Sequence, residues 1–204
     1  MPEDVVDANT KGFCAASRLM TDTELPDEIL ASRKCSATEA LRRAPARPGY
    51  YAIFVDSPNQ LQSPFSNLLL ERRTRLIYIG IATRSLRQRL VEQDLLHRQP
   101  STFFRGIGAI LGFRPSPGSL FGKSNQNNYK FSPEDTKQII AWIHEHLSVS
   151  WIEADPAIEE VERGLIRKHF PIINTEDNPK PVLELAALRR ECRIIARADC
   201  RPNT

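Results

Sequence analysis

Two runs of apolar, β-branched and aromatic residues, GYYAIFV from Gly49 and RLIYIGI from Arg75, rise out of polar surroundings and predict two strands. They read as the arms of a hairpin. The insert between them, residues 56–74 with Pro58 and Pro64, is too long for a tight turn and reads as an extended loop. Beyond the second strand the apolar positions change to helical spacing. Residues 84–96 and 101–111 predict helices, the second interrupted by Gly106 and Gly108. Residues 112–131 are rich in Gly, Pro, Ser and Asn and predict a long loop. Ser132-Pro133-Glu134-Asp135 supplies an N-cap, a proline at the first helical position and acids in the first turn, so a helix should run to about residue 146. LSVSWIEA then reads as a third strand. Asp155-Pro156 opens another helix, expected to end near Phe170-Pro171, and a last helix over residues 181–197 puts Val182, Leu185, Leu188, Cys192 and Ile195 on one stripe. Before the hairpin, a helix is expected over residues 27–43, stopping near Pro45.

Strands joined as a hairpin and followed by helices suggest an α+β fold, a small sheet flanked by helices. At 204 residues the chain fits one domain. We divide it into an N-terminal extension (1–46), a central domain (47–178) and a C-terminal helix packed on that domain (179–204). No run of about 18 apolar residues is present to cross a bilayer. The acidic start MPEDVVDANT lacks the basic-then-apolar order of a secretion signal, which makes the cytoplasm the expected location. Cys14, Cys35, Cys192 and Cys200 have neither CxxC spacing nor the density of a disulfide-stapled domain. His144 and His146, two apart on a helix, do not share a face as a metal pair would.

Charge changes the picture more than composition does. The net charge is only +3, yet residues 84–130 hold eight basic side chains against Glu92 and Asp94. Such a concentration suits phosphate neutralisation. A solvated basic face without a ligand is the alternative of equal weight.

Five residues carry candidate chemistry. In the helix after Asp155, Ile158, Val161, Leu165 and Ile166 define an apolar arc that includes Glu162. A carboxylate there needs a cation, a donor network or a water-filled cleft, unless it reaches solvent at the arc's edge. In the helix after YIG, Arg89 lies between Leu86 and Leu96, on the inward face. A guanidinium so held can grip a phosphate with two hydrogen bonds, and its alternative is a structural ion pair, Glu162 being one conceivable partner. Tyr51 and Tyr78 fall on the paired strands, where core packing alone accounts for a tyrosine. Asn174 follows Pro171-Ile172-Ile173, where an amide either fixes a loop or meets a substrate.

In this order, Gly49-Tyr50-Tyr51, Tyr78-Ile79-Gly80, Arg89, Glu162 and Asn174 resemble the GIY-YIG nuclease family. The resemblance implies a three-stranded antiparallel sheet flanked by helices and a metal-dependent endonuclease that hydrolyses DNA phosphodiester bonds. It implies Tyr78 as general base, Arg89 as transition-state stabiliser, Glu162 as ligand of Mg²⁺ or Mn²⁺, and Tyr51 and Asn174 as positioning residues. Arg87, His97, Arg105, Lys123 and Lys130 are further candidates for substrate contact, and RNA stays open beside DNA as a partner. Gln93 stands where many members carry histidine or tyrosine. The alternatives are a nucleic-acid-binding module of the same fold with little catalysis, or a protein-interaction domain.

Overall fold

The computed structural model describes residues 29–198. Cys14, Cys200 and the start of the expected first helix lie outside the described residues. In chain order the elements are β1 (Cys35–Ser36), α1 (Ala37–Arg43), β2 (Gly49–Val55), a 3₁₀ turn (Pro58–Gln60), α2 (Phe65–Glu71), β3 (Leu76–Ala82), the π-helix α3 (Arg87–Leu95), α4 (Thr102–Ile110), α5 (Pro133–His146), β4 (Leu147–Glu153), α6 (Glu159–His169) and α7 (Leu183–Arg197).

The sheet runs β1-β4-β2-β3, all pairs antiparallel. It has four strands, one more than expected. The added strand, β1, is two residues long, too short for any period-two pattern to reveal it, and pairs with β4 through Cys35 and Ser36. The expected helix over residues 27–43 is correspondingly interrupted: residues 29–31 are helical, β1 intervenes, and α1 follows, which Ser36 caps by accepting the Glu39 backbone N–H.

Every residue of β2 is buried, so both faces of the sheet are covered. Tyr51, Ile53 and Val55 point into the larger core with Leu90 and Leu95 of α3, Phe103 and Phe104 of α4, and Ile139 and Ile143 of α5. Tyr50, Ala52 and Phe54 face the smaller core with Leu165 and Ile166 of α6. Between β2 and β3 the register slips: Ile53 pairs with Tyr78 but Phe54 with Leu76, leaving Ile77 extra. This bulge turns both Ile77 and Tyr78 into the larger core, and so aims the tyrosine at α3 and α4.

Three other expectations are corrected. The insert 56–74 is not simply an extended loop, because it contains the 3₁₀ turn and α2, which bury Phe65 and Leu69. α4 is not interrupted at its glycines: they let Arg189 and Ile173 pass at Gly106, and Phe131 and Ile139 at Gly108, closer than a Cβ would allow. α6 starts at Glu159, and Ile158, still extended, is 47% exposed and lies outside the apolar arc. The loop 112–131, α5 with its Ser132 cap, and the last helix stand as expected in kind.

Candidate active site at the free edge of β3

As the terminal strand, β3 presents unpaired backbone groups on its outer side, a liability unless something covers them. The chain covers them with the residues of the site. The Ile77 carbonyl accepts from the Ile173 N–H (2.9 Å). The Asn174 amide closes a two-bond clasp on Ile79, accepting from its N–H and donating to its carbonyl, each at 2.9 Å. The Glu162 carboxylate accepts from the Ile81 N–H. Asn174 itself is held by Asn178, whose Nδ2 donates to its carbonyl (2.9 Å).

On the larger-core face, α3 brings Arg89 to Tyr78. Its wide coil matters. In an α-helix, residues five apart are separated by about 140°, whereas in a π-helix the backbone bonds reach back five residues and stack i over i+5. Here the Leu96 N–H reaches the Val91 carbonyl (2.9 Å), and Arg89 meets Asp94, five residues on, through Nη1 to Oδ1 at 2.5 Å. Arg89 Nη2 donates to the Tyr78 hydroxyl oxygen (3.3 Å). Asp94, wholly buried, also accepts from Tyr51 (2.5 Å) and Ser101 (2.7 Å). Asp94 is thus the hub that orients Arg89, and it answers the ion-pair question: the partner is Asp94, not Glu162.

Tyr78, Glu162 and Asn174 line one cleft of about 180 Å³, with Thr102, Thr175, Glu176 and Asp177. Arg89 lines the groove beside it, with Ile81, Gln88 and Gln93. Burial pushes the Glu162 carboxyl up to about 7, against the pull of Arg89 and the Ile81 N–H. Burial and the Asp94 charge likewise push the Tyr78 phenol well above its ordinary value, while Arg89 opposes them. A carboxylate this poorly solvated suits a cation. All the donors around the cleft are oxygens, and among the described residues no three or more His, Cys, Asp or Glu gather into a metal cage. That fits a hard divalent ion held through one carboxylate and otherwise by water and phosphate.

Of the other predicted residues, Tyr51 is brought to the network but lies wholly beneath it, its ring under Gly80. His97, Arg105, Lys123 and Lys130 gather elsewhere, around a separate pocket. Arg87 is exposed and lines neither the cleft, the groove nor that pocket. Sequence reasoning missed Asp94 and Ser101; the signal was an aspartate next to Leu95 and Leu96 and five residues after Arg89, readable only with a five-residue period.

The motif glycines are explained by close approach. At Gly80 a Cβ would lie 2.4 Å from the Tyr51 ring, and at Gly49 it would lie 2.1 Å from the Ile152 carbonyl. Because Asp94 pins the Tyr51 hydroxyl, the ring has nowhere to move. Gly80→Ala should therefore destabilise the fold by about 1–3 kcal/mol, the usual size of overpacking. A shift in the urea midpoint measures this, and an unshifted midpoint would contradict the packing described.

A tyrosine on an edge strand, an arginine fixed from the following helix and a desolvated glutamate from a later one thus meet at the outer edge of the sheet. A family model described as GIY-YIG catalytic domain matches residues 49–191, and the chain belongs to that family. Membership carries a nuclease-type function and a nucleic-acid substrate. No curated protein and no solved structure matches the chain significantly. Among the described residues no helix is long and apolar enough to cross a membrane.

Proposed function

We propose that the chain is a divalent-metal-dependent endonuclease that hydrolyses DNA phosphodiester bonds at the outer edge of β3. What carries the reading is that Tyr78, Glu162 and Asn174 share one cleft while Arg89 donates to the Tyr78 hydroxyl from its rim. A divalent ion, Mg²⁺ or Mn²⁺, held by Glu162 would supply charge stabilisation for the phosphate and the leaving oxygen.

Tyr78 takes the proton of the attacking water in this proposal. Its phenol is protonated in the free protein, since burial and Asp94 both favour the neutral form. Arg89 favours the phenolate by donating to its oxygen, so Tyr78 can accept a proton only as its own is passed on to solvent or phosphate. The same guanidinium, braced by Asp94, stabilises charge growing on the phosphorus oxygens. Asn174 holds the edge backbone of β3 at Ile79, and Tyr51 acts through Asp94.

Supercoiled plasmid with Mg²⁺ tests this. Wild type should nick it, and Tyr78→Phe, which keeps the ring packing against Phe103 (5.3 Å between centroids), should lose about 10²-fold or more. Equal rates would remove Tyr78 as base. One observation favours a second reading, a binding module with weak catalysis: Gln93, in the groove, is tied to the Pro100 carbonyl (2.7 Å) and carries no titratable group. DNA affinity without nicking of plasmid, branched or single-stranded DNA would select it.

A further inference from the structure

Behind the catalytic groove lies a pocket of about 500 Å³ whose lining includes His97, Arg98, Arg105, Lys123, Tyr129 and Lys130 and no carboxylate. Among the described residues, only one of its four cations has a carboxylate partner, Arg98 with Glu92. Arg105 is 8% exposed, donates to nothing closer than the Thr102 hydroxyl at 3.5 Å, and has no ion-pair partner among the described residues. Its guanidinium lies 5.8 Å from the Tyr129 ring centre. Lys123 and Lys130, both exposed, likewise lack carboxylate partners among the described residues. Cations gathered around a concavity repel one another and focus a field that attracts anions. Burial, followed by the charges of Arg105 and Lys130, holds the His97 imidazole down at about 4, so that field is felt inside the pocket.

Its place relative to the chemistry identifies the anion. Gln93 of the groove bonds the Pro100 carbonyl, and Pro100 also lines the pocket. Thr102 lines the catalytic cleft, while Arg105, one turn further along α4, lines the pocket. A strand leaving the cleft therefore meets these cations within a short span.

We propose that this pocket is a second phosphate subsite, which takes a nucleotide of the substrate strand flanking the cleaved bond through Arg105, Lys123 and Lys130. It rests on the nucleic-acid reading of the site and adds to it a distinct point of grip, outside the reacting groups. The backbone phosphate is the shared chemistry; its source is the bound strand rather than a free nucleotide.

Binding of a fluorescent DNA duplex by the full chain, followed by anisotropy in EDTA over a salt series, tests this without any cleavage. Lys123→Ala/Lys130→Ala, both exposed, should weaken binding about tenfold or more at low salt and reduce the slope of log K against log salt by about 2. Arg42→Ala, an exposed change on α1, should alter neither. Wild-type affinity and slope in the double variant would overturn the subsite while leaving the nuclease reading intact. No DNA binding by wild type at any salt would overturn both. A nucleoside monophosphate as competitor separates the sources. If it binds wild type as tightly as the duplex, and loses that affinity in the double variant, the pocket serves free nucleotides and the strand assignment fails.

Discussion

Asp94→Ala should cost about 3–5 kcal/mol of folding stability, the usual penalty for removing one partner of a buried ion pair. The carboxylate is wholly buried and receives Arg89, Tyr51 and Ser101 at 2.5–2.7 Å. Its removal leaves the Tyr51 phenol and the Ser101 hydroxyl without an acceptor in the core, and takes from the Arg89 guanidinium, at the groove, its only carboxylate partner among the described residues. Asp94→Asn should recover part of the loss, because the amide keeps the shape and one acceptor oxygen, but it presents an NH₂ group toward donors. Urea unfolding measures both. Activity should fall in each variant out of proportion to the folded fraction, since Arg89 loses the brace that aims it at Tyr78. A loss below about 1 kcal/mol for the alanine variant would mean the network contributes no more than exposed pairs do.

Glu162→Gln should abolish metal-supported cleavage, and it should do so without unfolding the chain. The carboxyl is raised to about 7, chiefly by desolvation, from an ordinary 4.5. A carboxyl raised on folding holds its proton longer in the native state than in the unfolded chain. Its contribution to stability is complete below about 4.5 and is lost as the pH climbs through about 7. Glutamine has no proton to lose. Wild type and variant should therefore melt alike near pH 4, and the variant should melt higher at pH 8. Mg²⁺ should raise the melting temperature of wild type at pH 8, by binding the folded carboxylate, and leave the variant unmoved. Equal melting of the two proteins at pH 8, with cleavage retained, would remove Glu162 as the ligand. By the same sign, cleavage by wild type should rise through pH 7 as Glu162 ionises.

The elements most legible in the sequence are those whose cause is local. Ser132 followed by proline and acids starts α5 because cap, ring and charge all act within one turn. GYYAIFV forms β2 because branched and aromatic side chains suit a strand covered on both faces. The α6 start is not legible because Asp155-Pro156 has the composition of a helix start, yet the chain bends at those two residues and turns helical only after an extended Ile158. The strand β1 was invisible because two residues carry no period. For Arg89 the helical period gives the right direction on the wrong geometry. A 100° step points it inward between Leu86 and Leu96, but the π-turn, which no residue pattern announces, stacks it on Asp94.

The sequence by itself determined the candidates: which strands form, which helices follow, and which tyrosines, arginine, glutamate and asparagine stand at family positions. The tertiary structure alone decided their states. Tyr51 and Asp94 are 43 residues apart, and Ile79 and Asn174 are 95 apart, yet each pair shares buried hydrogen bonds. Likewise Arg105 reaches Lys123 and Lys130 only through the loop that returns to α4. Backbone preference and amphipathic period act over a turn or a strand and can be read along the chain. Desolvation, bond partners and electrostatic field depend on atoms brought together from distant segments, so whether a carboxylate is a hub, a metal ligand or a surface charge is settled only when the chain has folded.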